Sequence, residues 1–103
     1  MTTNFSKRLV NAEDAPATLH RRYTNALEVS GAGRTLYISG QIPTDQDGLA
    51  PTDFEAQARL AWGNVEKQLH AASMTLDDLV KVTVFLARYD LRDTNAKVRW
   101  EVM

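Results

Sequence analysis

The chain has 103 residues, 44% apolar and 24% charged, with 12 basic against 13 acidic side chains and a formal charge of −1. That is the composition of one ordinary globular domain, and its near-neutrality counts against a general nucleic-acid binder, which needs surplus Lys and Arg to displace phosphate counterions. Cysteine is absent, which removes disulfides, thiolate zinc sites and cysteine nucleophiles together and suits a cytoplasmic protein; no run of about 18 apolar residues offers a membrane span.

Residues 1–22 are mixed and polar, and Lys7, Arg8, Glu13 and Asp14 leave no apolar stretch for a secretory signal. Residues 5–10 read as a short edge strand, and residues 11–22, with Pro16 among them, as a loop. Residues 24–30 alternate weakly through Ala26, Leu27 and Val29. Ser30-Gly31-Ala32-Gly33 is a turn signal, and Thr35-Leu36-Tyr37-Ile38-Ser39 is β-prone, so the two runs predict a hairpin. Gly40 ends the second strand, and a polar loop covers 44–50.

Pro51-Thr52-Asp53-Phe54-Glu55 opens a helix, with Thr52 as N-cap and Glu55 completing a capping box. Its apolar stripe runs Ala58, Ala61, Trp62, Val65, Leu69, Ala72 and closes near Ser73. Arg59, Asn64, Glu66, Lys67 and Gln68 fall mostly off that stripe. Residues 79–87 form the strongest predicted strand. Val80, Val82, Val84 and Leu86 point one way, Lys81, Thr83, Phe85 and Ala87 the other. Both faces are largely apolar, so helices are expected on one side and another layer or subunit on the other. Asp90 is the expected cap of a second helix carrying Leu91, Val98 and Val102. That pattern reaches Met103 with no stop signal, so the chain is expected to end before its fold does. The order β-β-β-α-β-α predicts the α+β class, a sheet with two helices on one face. A domain this small hides only about two thirds of its unfolded surface, which favours burial against identical subunits.

Few residues stand out for chemistry. His20 and His70 share no metal-type spacing, and His70 reads as a surface position on the first helix. Gly31-Ala32-Gly33 is a hairpin turn rather than a phosphate cradle, because no helix follows it. Asp45 and Asp47 lack the remaining ligands of a calcium loop. Asp77-Asp78 reads as a solvated connection. Ser39, at a strand end, is either a plain turn residue or an exposed hydroxyl beside open backbone. His20-Arg21-Arg22-Tyr23 is the densest cationic group. It suits either a bidentate carboxylate contact or a solvated loop paired with Glu13 or Asp14.

Leu36-Tyr37-Ile38-Ser39-Gly40-Gln41-Ile42-Pro43 resembles the strand-turn signature of the Rid (YjgF/YER057c/UK114) family. Phe54-Glu55-Ala56-Gln57-Ala58-Arg59, Asn64-Val65 and the run Thr75 to Leu86 are similar to further motifs of that family, in the same order. The resemblance covers about residues 24–100. It implies a chorismate-mutase-like, YjgF-like subunit in a homotrimer, with a ligand cleft where protomers meet. It also implies hydrolysis of reactive 2-imino and enamino acids to 2-keto acids and ammonia, without a cofactor or metal. On that likeness Tyr23 matches the cleft tyrosine, Ser39 and Gly40 the strand-end turn, and Asn95 an asparagine of the second helix.

The likeness departs at Arg21-Arg22-Tyr23-Thr24-Asn25, where the family reads G-P-Y-S-Q. The family's carboxylate-binding arginine and acidic residue come from strands beyond the second helix. The chain therefore reads as a single Rid-like domain, 1–103, lacking those strands, with Arg22 or Arg21 as a stand-in clamp. The expected partners are a small 2-imino or 2-keto acid and two further copies of the chain, with no membrane, and nucleic acid is disfavoured. A noncatalytic carboxylate-binding or regulatory protein, an inactive fragment, and an RNA-cleaving role remain open, the last disfavoured by the charge of −1.

Overall fold

A computed structural model describes residues 6–18, 23–31 and 33–103. Three antiparallel strands, β1 (Ser6–Val10), β2 (Ala26–Ser30) and β3 (Arg34–Ile38), form a sheet in the order β1-β2-β3. Two helices follow, α1 (Phe54–Ala71) and α2 (Arg92–Val102), each preceded or followed by a short 3-10 turn at Leu76–Asp78 or Tyr89–Leu91. The fold is α+β, as the element order predicts. No helix among the described residues is long and apolar enough to cross a membrane.

The register assigns the sheet's two faces. Val10, Ala26 and Ile38 lie abreast, as do Arg8, Glu28 and Leu36, and directly opposed residues share a face. This face packs toward α1, since Arg34 donates to the Ala72 carbonyl at the helix end at 2.6 Å. Glu28 is buried there and is neutralised by Arg8 at 3.3 Å and Arg34 at 3.0 Å. A buried carboxylate without such partners would cost several kcal/mol, on the order of 3–5. The opposite face carries the row Leu9, Leu27, Tyr37, and Leu9 and Tyr37 are both exposed.

Helix α1 starts one residue later than the expected cap. Asp53, not Thr52, is the N-cap, its Oδ2 accepting from the Ala56 amide at 3.0 Å. A carboxylate is a better acceptor than a hydroxyl for the positive end of a helix. The shift leaves Glu55 outside a capping box, and it reaches Lys97 at 3.0 Å and Arg59 at 3.2 Å instead. Arg59 also pairs with Glu101, so four charges tie α1 to α2. Lys97 first and Arg59 second hold the Glu55 carboxyl below its ordinary range. At the other end Ser73 turns left-handed, at φ 59°. Its amide bonds the His70 carbonyl at 2.9 Å and the Met74 amide bonds the Leu69 carbonyl at 2.8 Å, a Schellman closure.

The core lies between the helices, where Ala58, Trp62 and Val98 are buried and Phe54, Leu76, Leu79 and Val102 pack around them. Asn64 and Gln68, expected off the buried stripe, prove fully buried instead. Asp90 does not cap α2: it pairs with Arg88 at 3.2 Å, and the Tyr89–Leu91 turn leads into the helix without a side-chain cap. Asp78 is more than a solvated charge, because it accepts from the Thr75 amide at 2.8 Å in a capping box.

Residues 79–87 are the main correction. They form no strand. Leu79 joins the helix core, whereas Val80 on one expected face is 95% exposed and Phe85 on the other 92%. Alternation specifies which side chains share a face, but a strand also needs a neighbour for its amides and carbonyls, and the three-stranded sheet does not supply one. The radius of gyration, 15.0 Å, accordingly exceeds the roughly 13 Å of a compact chain of this length.

Candidate functional site

Antiparallel pairing places Ala26 opposite Ile38, so the start of β2 and the end of β3 lie at one margin of the sheet. There the chain leaves β3 through Ser39 and Gly40 and enters β2 from Tyr23. The amide and the hydroxyl of Ser39 both donate to the Asn25 carbonyl, at 2.7 and 2.8 Å. The Ser39 proton is thus committed to holding the two strand ends together, and its hydroxyl keeps only acceptor capacity.

An open cleft of about 280 Å³ lies at this margin. One wall is Pro16 and Ala17 with Tyr23 and Asn25; the other is Gly40 to Ile42 with Thr44 and Gln46 to Gly48. Gly40 lines the cleft, and a Cβ placed on it would meet no atom within 4 Å, so the glycine relieves no clash among the described residues. Asn25, 5% exposed, joins the walls. Its Nδ2 donates to the Pro16 carbonyl at 3.2 Å, and its Oδ1 accepts from Gln41 Nε2 at 3.3 Å. The Asn11 side chain in turn accepts from the Asn25 amide at 2.8 Å.

The structure therefore brings Tyr23 and Gly40 into one cleft, with Ser39 directly behind it. Asn95 is buried on α2 and does not line the cleft. Arg21 and Arg22, with His20, lie outside the described residues. Asp47 is the one charged side chain among the described lining. Among the described residues no three His, Asp or Glu side chains cluster as a metal site would require. His70 is exposed on α1.

Asn25 and Gln41 carry no sign of a site role in the sequence. Their roles depend on cross-strand register and on loop closure. The available signal was two amide side chains flanking the hairpin ends, in Tyr23-Thr24-Asn25 and Ser39-Gly40-Gln41.

This scaffold is shared with known proteins. The family model described as endoribonuclease L-PSP matches residues 12–99. The chain belongs to that family, the Rid or YjgF group. It is 36% identical to the 2-iminobutanoate/2-iminopropanoate deaminase of Escherichia coli over 87 residues, 84% of this chain and 63% of that protein. It is 41% identical to the RutC family protein YjgH of Escherichia coli over 64 residues, 62% of this chain and 47% of the relative. The crystal structure of RidA from an Antarctic Psychrobacter superposes with a TM-score of 0.82 at 28% identity, covering 93% of this chain and 76% of that one. The chain thus spans about half to under two thirds of the length of these two curated relatives.

Proposed function

We propose that the protein is a Rid-type deaminase that hydrolyses small 2-imino and enamino acids to 2-keto acids and ammonia. Water adds to the C=N carbon, and the carbinolamine expels ammonia as the carbonyl forms. No electron transfer and no cofactor enter this balance. The supporting observation is the cleft that joins Tyr23 to the Ser39-Gly40 turn, in a family with relatives named as imine deaminases. Gly40 admits the ligand to the backbone, and Tyr23 and the Asn25–Gln41 pair flank it with polar groups. Arg22, adjacent to Tyr23 in the chain, is assigned to the substrate carboxylate, with Arg21 as its alternative, because a guanidinium binds carboxylate through two parallel bonds. Asn95 is assigned to a cleft completed by a second protomer.

The assembly is a homotrimer in this reading. Leu9 and Tyr37 on one sheet face, beside half-buried Leu27, and the exposed Val80 and Phe85 are surface that one protomer leaves in water. Burying each such large side chain contributes about 1.5–3 kcal/mol.

The test is release of keto acid and ammonia from a freshly generated 2-imino acid. A rate no greater than buffer alone sinks the proposal. A noncatalytic carboxylate-binding role is the second reading, favoured by the lack of Lys or Arg in the described lining. Saturable binding of 2-ketobutyrate without turnover would establish it.

A further inference from the structure

The two segments that supply the cleft walls are both fastened to one face of α1: residues 40–48, and residues 12–17, of which Pro16 and Ala17 line the cleft and Ala12, four residues before Pro16, is the anchored end. Asn64, fully buried, donates through Nδ2 to the Ile42 and Thr44 carbonyls, each at 2.9 Å. One turn further on, Gln68, equally buried, accepts from the Ala12 amide through Oε1 at 2.8 Å. These bonds end on backbone groups of irregular segments, which have no ladder to satisfy them. Each amide serves a different wall.

Burying two amides inside a small core is costly unless their bonds compensate. Here the compensation is incomplete, since Asn64 Oδ1 and Gln68 Nε2 find no partner among the described residues. Apolar side chains of the same size would avoid that cost. The bonds that are made do something an apolar pair would not: they hold two loops at a set distance.

We propose that Asn64 and Gln68 are positioning residues that set the separation of the cleft walls, and through it the affinity for the ligand. Asn64 governs the 42–48 wall and Gln68 the 12–17 wall, each through its own backbone bonds. The claim rests on the reading that this cleft is the ligand site.

The experiment compares Asn64→Leu and Gln68→Met, which roughly keep volume and delete the bonds, with Val98→Ala. Val98 lies in the helix core and destabilises without touching either loop. Amide hydrogen exchange on the full chain is read at Thr44, Asp45 and Gly48 for one wall, where each amide has a local backbone bond, and at Ala15 for the other. Asn64→Leu should speed exchange on the 42–48 wall at least about tenfold and spare Ala15, and Gln68→Met should do the reverse. The KM for the imino acid should rise about fivefold or more in both while kcat stays within about twofold, the pattern of lost ground-state binding. Val98→Ala should leave exchange at both walls and KM as in the wild type.

Equal acceleration at both walls by all three variants, or an unchanged KM beside faster wall exchange, overturns the proposal. If Asn64→Leu does not fold, the Gln68→Met arm decides alone. If the wild type shows no turnover, the deaminase reading falls by itself. Wall exchange and the affinity for 2-ketobutyrate then judge the positioning claim.

Discussion

Asn25→Asp exchanges one NH2 for an oxygen in a side chain that is 5% exposed. The bond from Gln41 at 3.3 Å survives, because an oxygen still accepts there. The bond to the Pro16 carbonyl at 3.2 Å does not, because a carboxylate has no hydrogen to give and meets that carbonyl oxygen to oxygen. The lost bond costs about 1 kcal/mol. A buried charge without a donor in place of the amide adds roughly 2 more, for a total of about 3 kcal/mol at neutral pH. For a domain of about 100 residues, 1 kcal/mol moves Tm by about 4–8 °C, so the variant should melt about 12–24 °C lower.

The pH dependence checks the cause. Burial beside a carbonyl raises the folded-state pKa of the new carboxyl above its unfolded value of about 3.9. The folded variant then holds its proton to higher pH than the unfolded chain. The penalty is therefore absent below about pH 4, grows as pH climbs through the window between the two pKa values, and is complete above the folded one. The protonated acid can also donate to Pro16 and restore the bond. Paired thermal melts of wild type and variant from pH 7 down to 4, at equal protomer concentration, read this directly. A gap under about 2 °C at pH 7, or one that stays constant down to pH 4, refutes the claim that Asn25 ties the cleft walls through its amide hydrogens.

Three further outcomes follow from the fold. Ser73→Gly relieves the left-handed backbone at φ 59° and should stabilise the protein by about 0.5–1 kcal/mol in urea titration. Val98→Ala empties space beside Trp62 in the helix core and should cost about 2–3 kcal/mol by the same assay. Glu55→Gln removes a carboxylate whose pKa is lowered by Lys97 and then Arg59. Stability from a lowered carboxyl is present above its ordinary value near 4.5 and is lost as pH falls through the folded value. Wild type should therefore exceed Glu55→Gln at pH 7, and the two should converge in acid and in about 1 M salt, where the Debye length is near 3 Å.

The hairpin was legible because its signals are local. Gly31 and Gly33 mark the turn, and the flanking runs place β2 and β3 within two residues of where they occur. α1 was equally plain from its apolar stripe, and only its cap moved, from Thr52 to Asp53. Polarity misled at Asn64 and Gln68. Periodicity assigns an amide to the wet face, but nothing in a helix pattern says that two loops will close over that face and draw bonds from it. Within the cleft, Tyr23 and Gly40 came from a family signature. Asn25 and Gln41 depend on strand register, and the commitment of the Ser39 hydroxyl to Asn25 appears only once the strand ends meet.

The amino-acid order by itself determined the α+β class, the strand-turn-strand unit, the long helix and the family, because these rest on spacing and turn chemistry within short windows. Tertiary structure decided which polar side chains are buried, which residues share the cleft, and that residues 79–87 form no strand. The physical reason is common to all three. Hydrogen bonding and burial are satisfied between segments far apart in the chain, and the local pattern states what each segment needs without stating which neighbour provides it.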